Sequence, residues 1–141
     1  MQTTSVTRQV VVFTLGAEEY AFPIEQVREV IRYRRPRSVA SRARWVRGVI
    51  SLRGQIVAVY DLAARLETTP PDDARAKIVI LDPGTGIAGV VVEDVKEVRT
   101  IEEHDMADVP GADTAIIESV AAVGQRMILV LKPEALFGDG V

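Results

Sequence analysis

Apolar residues along this chain come in short runs, each broken by a turn signal before it reaches helix length. Runs such as Val10-Val11-Val12-Phe13, Ile78-Val79-Ile80-Leu81 and Val90-Val91-Val92 are dominated by β-branched residues, which favour a pleated, half-buried surface. Gly16-Ala17, Gly54-Gln55, Asp82-Pro83-Gly84-Thr85-Gly86 and Gly124-Gln125 punctuate them, as turns between strands require. The pattern predicts strands near 9–15, 19–22, 28–33, 47–52 and 55–60, and again near 76–82, 86–92, 95–100, 115–122 and 126–131. Short helix-like ends, Asp61 to Leu66 and Pro133 to Phe137, follow the fifth and tenth of these.

The two sets are copies. Glu25 to Val30 (EQVREV) matches Glu93 to Val98 (EDVKEV) at an offset of 68 residues. At the same offset Val11-Val12-Phe13 falls on Val79-Ile80-Leu81, Gly16 on Gly84, and Phe22-Pro23-Ile24 on Val90-Val91-Val92. At an offset of 71, Gly48-Val49 falls on Ser119-Val120 and Ile56 to Tyr60 on Met127 to Leu131. An internal repeat therefore accounts for nearly the whole chain. Strands this short cannot hide both faces as a flat sheet, and closing each set into a small barrel removes the exposed edges. The expected fold class is all-β with short helices: two five-stranded barrels related by the repeat. The first would span about 9–68 and the second about 74–137 of a single domain at 9–137, with Thr68 to Asp73 as linker and tails at 1–8 and 138–141.

Composition supports this. Val and Ile make up 33 of 141 residues. There is no cysteine, which excludes disulfides and thiolate chemistry, and a single histidine, His104, which excludes a multi-histidine metal site. No run approaches the ~18 apolar residues of a membrane helix, and Met1 to Gln9 is polar, unlike a signal peptide. The chain reads as soluble and cytoplasmic.

Charge is distributed unevenly. Residues 28–47 hold eight of the 14 arginines and one acid, Glu29, whereas residues 48–141 carry a net −8 and residues 1–27 a net −2. Tyr33 and Trp45 interleave with the arginines. Such a segment suits an acidic protein partner, or RNA through phosphate contacts and stacking. The acidic remainder, with a sequence pI of about 5.2, argues for the protein partner.

Catalytic constellations are hard to find. Glu102-Glu103-His104-Asp105 reads as a charged first helical turn, because consecutive side chains on a turn point apart and do not converge on one ion. Asp82 to Gly86 lacks the Gly-Lys-Ser/Thr of a phosphate loop and lies between strands. No G-x-S-x-G elbow appears. The expectation is a protein that is not an enzyme, with no catalytic residues, no metal and no cofactor or small-molecule ligand. Arg53, in Ser51-Leu52-Arg53-Gly54, has a structural reading: Gly54 supplies the tight turn, and Arg53 can reach Glu29 to tie two elements together.

At these residues a resemblance becomes specific. Trp45-Val46-Arg47-Gly48-Val49-Ile50-Ser51-Leu52-Arg53-Gly54-Gln55-Ile56-Val57, followed by Val59-Tyr60-Asp61-Leu62, is similar to the signature of the CheW-like chemotaxis coupling proteins. Phe13-Thr14-Leu15-Gly16, Glu19-Tyr20, Ile24, Val27, Glu29-Val30 and Gly89-Val90-Val91-Val92, with Val95 and Val98, extend it over roughly 9–137. Ser51, Ala58, Glu93, Ser119 and Lys132 depart from residues common in that family.

The resemblance implies two SH3-like barrels and a non-catalytic adaptor. Its partners would be the cytoplasmic tips of chemoreceptors and the regulatory domain of a CheA-type histidine kinase, and it would be recruited to membrane-anchored receptor arrays. A paralogue serving a non-flagellar chemosensory pathway is an alternative, as is an RNA-binding module using loop 28–47. On the adaptor reading Val27, Val30, Val95 and Val98 would line a receptor groove at the seam between barrels, with a core position the alternative for each. The kinase-facing surface would lie on the first barrel near Val39, Gly48 and Ile56, braced by Arg53, Gly54 and Glu29.

Overall fold

The computed structural model describes residues 6–40, 45–84, 86–111 and 115–137. Arg42, Arg44, Thr85, residues 1–5 of the expected N-terminal tail and the expected tail at 138–141 lie outside the described residues. The strands are β1 (Thr7–Leu15), β2 (Glu18–Pro23), β3 (Val27–Arg32), β4 (Val46–Leu52), β5 (Gln55–Tyr60), β6 (Lys77–Leu81), β7 (Ala88–Val92), β8 (Asp94–Glu102), β9 (Met106–Ala107), β10 (Ile117–Val123) and β11 (Arg126–Leu131). Helices α1 (Leu62–Arg65) and α2 (Glu134–Phe137) stand at the two expected ends. All ten expected strands are present, and β1 starts inside the expected tail. β9 was not anticipated, since two residues carry no periodicity.

The strands form two sheets, ordered β8-β1-β2-β11-β10-β9 and β3-β6-β7-β5-β4. Neither sheet is one copy of the repeat. Each takes the first two strands of one copy and the last three of the other, so both run third-first-second-fifth-fourth. The stretches 9–68 and 74–137 are therefore copies in sequence, while the barrels in space exchange strands. The connections impose this. A single residue, Glu93, joins β7 to β8, too short to reverse the chain, so β8 continues into the other sheet beside β1. The three-residue 3-10 turn Ile24–Gln26 delivers β3 to β6 in the same way.

The copies agree in detail. Both sheets contain one parallel pair at the same place, β11 with β2 and β5 with β7. The register slips between Val27 and Glu29 on β3, where Arg28 is the extra residue. It slips at the equivalent place on β8, where Val95 pairs with Phe13 and Glu97 with Val12, leaving Lys96 extra. A second pair of slips, at Val46/Gly48 and Ile117/Ser119, is again repeat-related. Both barrels close the same way. Beyond β3, Arg37 exchanges backbone hydrogen bonds with Val49 of β4, at 2.8 and 2.9 Å. Beyond β8, β9 pairs with Val120 and Ala121 of β10.

Burial explains the uninterrupted apolar runs. Val10, Val12 and Ala21 point into one barrel with Ile128 and Ala121. Ile78, Ile80 and Val91 point into the other with Val57 and Val59. The opposite faces of the same strands carry Phe13, Leu15, Phe22, Val79, Leu81, Val90 and Val92, which meet between the barrels. Strands buried on both faces need no polar alternation. Phe13 and Phe22 stack with ring centroids 4.8 Å apart, and Leu62 of α1 and Leu136 of α2 complete this shared core. The expected linker is anchored at its first residue: Thr68 occupies the space a Cβ on Gly16 would need, where Gly16 and Ala17 form the β1–β2 turn at φ 59° and 68°, while Thr69, Pro70, Asp72 and Asp73 are exposed.

Phe22 has no exposed surface and belongs to the core that both barrels share. Phe22→Ala is expected to cost about 3–5 kcal/mol. Urea unfolding followed by fluorescence and circular dichroism should show one shifted transition. Two separated transitions would mean that the barrels fold independently.

Candidate partner-binding surfaces

Four valines spaced three apart on two strands should not share a face, since strand side chains alternate. The bulges at Arg28 and Lys96 correct the phase. Val27 pairs with Leu81 and Val30 with Val79, both residues of the inter-barrel core. Val95 pairs with Phe13, and Val98 with Val11, which shares a face with Phe22. Directly paired residues lie on the same face of a sheet, so all four valines stand on the faces that meet at the seam. They differ in depth. Val27 and Val95 pack against the core, whereas Val30 and Val98 are 39% and 54% exposed at its rim.

Of the three residues expected on the other surface, Val39 and Ile56 are exposed, Ile56 at 67%. Gly48 is buried in β4, and the position a Cβ would take is filled by the carbonyl of Arg37. Its glycine is required for barrel closure, so it does not contribute a contact surface. Sequence reasoning missed Met127, 64% exposed on β11. The repeat was the available signal, because Met127 lies 71 residues after Ile56.

Arg53 and Glu29 meet as expected. Arg53 Nη1 and Nη2 donate to the two Glu29 carboxylate oxygens at 2.6 and 2.7 Å. Glu29 pairs with Ile80 and so takes a barrel-interior position at the mouth, and Arg53 closes over it from the β4–β5 turn. That turn holds both central residues at positive φ, Arg53 at 48° and Gly54 at 80°, the signature of a tight type I′ hairpin. The hydrogen bonds from Arg53 hold the Glu29 carboxyl below the usual carboxylate range. The second barrel repeats the device. Arg126 Nη2 donates to Glu97, the counterpart of Glu29, at 3.0 Å and to Glu19 at 2.6 Å. Glu97 is held below its ordinary range by hydrogen bonds from Arg99 and then Arg126, and Glu19 by that from Arg126.

Glu102, His104 and Asp105 do converge, which corrects the expectation that side chains on this charged turn point apart. Glu102 is the N-cap of a single 3-10 turn, Glu103–Asp105, so the helical turn expected here is present, but at three residues per turn it is tight enough to bring Glu102 and Asp105 to either side of His104. His104 Nε2 contacts the Glu102 carboxylate and Nδ1 lies 3.1 Å from Asp105. Hydrogen bonding to Glu102, then the charge of Asp105, raises the His104 pKa. All three residues are exposed at the ligating atoms, and both imidazole nitrogens are engaged by carboxylates. The aromatics of the arginine-rich segment are engaged too: Arg47 lies over the Tyr33 ring at 5.8 Å and Arg65 over Trp45 at 5.5 Å. Among the described residues no helix is long and apolar enough to cross a membrane.

A family model described as the CheW-like domain matches residues 9–140. The probable chemotaxis protein CheW of Rhizobium etli is 28% identical over 137 residues, covering 94% of this chain and 88% of the relative. The chemotaxis protein CheW of Klebsiella aerogenes is 28% identical over 140 residues, with coverages of 96% and 84%. That of Bacillus subtilis is 27% identical over 135 residues, covering 91% and 85%. The crystal structure of the scaffolding protein TtCheW from Thermoanaerobacter tengcongensis superposes with a TM-score of 0.86 at 28% identity, covering 96% of this chain and 97% of that one.

The depressed carboxyls fix a pH dependence. Glu19, Glu29 and Glu97 have folded-state pKa values below their unfolded ones. Their stabilising contribution is complete above the ordinary carboxylate range and is lost as pH falls through the lowered folded values. The melting temperature should drop on that acid limb, and Arg126→Met, which removes a partner of both Glu19 and Glu97, should flatten the drop. Equal acid limbs in the two proteins would show that the pairing is energetically silent. Separately, Gly48→Ala should destabilise the fold measurably in urea, because the new methyl meets backbone.

Proposed function

The chain belongs to the CheW-like domain family, and from that premise we propose that this chemotaxis adaptor couples chemoreceptors to a CheA-type histidine kinase. The observation that carries the reading is the pair of repeat-related valines, Val30 and Val98, held at the rim of the inter-barrel seam with exposed apolar surface. An apolar rim over a rigid double barrel suits a helix laid across it, since the strands present the side chains at fixed spacing. The receptor tip, a helical hairpin, would take this groove, with Val27 and Val95 forming its floor.

The kinase regulatory domain would dock on the surface around Val39 and Ile56. A large aliphatic side chain two-thirds exposed on a closed sheet is explained by a partner that covers it. Arg53, Gly54 and Glu29 brace that surface, and Gly48 maintains it from beneath. The protein acts by geometry, holding two partners in a fixed relation, and needs no cofactor. On this reading it works in the cytoplasm at membrane-anchored arrays. The alternative, capture of RNA by the arginine-rich segment, is disfavoured because Tyr33 and Trp45 already carry arginine side chains on their rings.

Two variants separate the surfaces. Val30→Asp should abolish binding to a receptor-tip hairpin in titration calorimetry and leave kinase-domain binding intact, whereas Ile56→Asp should do the reverse. Both sites are exposed, so circular dichroism should be unchanged. Receptor binding that survives both Val30→Asp and Val98→Asp would remove the seam assignment. Kinase binding that survives Ile56→Asp would move the kinase surface elsewhere.

A further inference from the structure

The two barrels are finished differently at the ends away from Arg53 and Arg126. In the second barrel Arg8 pairs with Ile101, and Ser119 stands two residues along β10 from Ala121. Ile101 and Ala121 fill that barrel, so Arg8 and Ser119 also take interior-facing positions. Arg8 lies at the start of β1, whereas Val12, which pairs with Glu97 of the other mouth, lies further along. At the repeat offset of 68 the place of Arg8 is taken by Ala76, which is buried. The Tyr33 amide donates to the Ala76 carbonyl at 3.2 Å, and the Tyr33 ring packs on the same core beneath Arg47. That end of the first barrel is an apolar plug. The corresponding end of the second is a polar recess of about 430 Å³, a size that suits a small molecule.

Charge is reversed between the two ends. Residues 32–40, which lead out of β3, contain four arginines and no acid, whereas residues 100–108, which lead out of β8, contain four acids and neither lysine nor arginine. At the offset of 71, Arg47 is replaced by Glu118. Glu118 is the extra residue of the β10 bulge, which turns it to accept a hydrogen bond from Arg8. Glu103 and Asp108 line the recess at exposed positions. The lining thus sets three carboxylates against one guanidinium, an excess of two negative charges. Ser119 adds a directed group. It lines the recess and is only 8% exposed, and its Oγ is buried with no hydrogen-bond partner among the described residues. Buried hydroxyls are costly to leave unpaired. In the first barrel Gly48 holds this place, with the Arg37 carbonyl against it, so the hydroxyl belongs to the polar end alone.

An excess of carboxylate calls for a cation, and the geometry selects its kind. A metal ion needs oxygens that converge within about 2.6 Å of one point. Among the described residues the group of ligating atoms that converges is Glu102, His104 and Asp105, and it includes none of Glu103, Asp108 and Glu118. Carboxylates spread along a recess suit positive charge spread along a chain. We propose that this mouth of the second barrel binds a small aliphatic diamine. One ammonium sits at depth between Glu118 and Ser119 Oγ, and the other at the rim with Glu103 and Asp108. The methylenes lie along Met106, which also lines the recess. An ammonium offers three donors and no acceptor, and serine and carboxylate oxygens accept them. Its two charges equal the excess on the protein.

Isothermal titration calorimetry of the whole chain with putrescine at low salt tests this. The expected result is saturable binding at one site, with amide NMR shifts confined to Arg8, residues 103–108 and Ser119. Ser119→Ala should weaken binding about tenfold. Glu103→Gln/Asp108→Asn should do the same, and both positions are exposed enough to leave the circular dichroism unchanged. Butylamine, with the same chain and one ammonium, should bind about tenfold more weakly, and magnesium should not displace putrescine. No saturable binding, an affinity unchanged in either variant, or shifts centred elsewhere would each overturn the proposal. So would magnesium or butylamine binding as tightly as putrescine. Receptor and kinase binding are read in separate titrations, so failure here leaves the adaptor reading standing.

Discussion

The structure depends on two hairpins that are apolar on both faces. In β1–β2 and β6–β7 one set of side chains fills a barrel and the other fills the space between the barrels. Neither barrel could stand in water alone without exposing Phe13, Phe22, Val79 and Val90. The unit of folding is therefore the pair, and the exchange of strands between copies is how the chain makes that pair inseparable. The one-residue connection at Glu93 and the short turn at Ile24–Gln26 enforce the exchange, because neither lets the third strand fold back on its own hairpin.

The seam and the surfaces follow from that constraint. Strands β3 and β8 flank the shared core, and their bulges rotate Val30 and Val98 onto the side that faces it. If Arg28 and Lys96 were accommodated in a regular pleat instead of a bulge, these valines would sit in opposite phase to Val27 and Val95. A glutamate takes an interior-facing position at each barrel mouth, which is acceptable only because an arginine from the last hairpin closes over it. Such charge-assisted pairs are specific in geometry even where their contribution to stability is modest. They hold the hairpins that carry Ile56 and Met127.

Duplication supplies two equivalent surfaces, and an adaptor must keep them distinct. Here the backbone is repeated down to the positions of the bulges, while charge on the closing segments is opposite in sign. Specificity is a difference of affinities, and opposite charge on matching shapes provides it without altering the fold.

Much of this was legible in the linear chain. β-branched runs and turn signals located ten strands, and the recurrence of EQVREV as EDVKEV exposed the repeat. The Arg53–Glu29 pair could be anticipated because a tight turn and a strand carried opposite charges. These are local or periodic features, and periodicity survives in one dimension. The exchange of strands did not, since two identical copies can pair within themselves or across, and only the packing of doubly buried hairpins chooses. The requirement for glycine at position 48 came from the carbonyl of Arg37, a contact the chain order does not reveal. The convergence of Glu102, His104 and Asp105 came from a single tight 3-10 turn at that point, a geometry that the chain order does not reveal. Sequence determined which segments are strands and that they occur twice; tertiary structure decided which strands share a barrel, because burial on two faces is a property of neighbours in space.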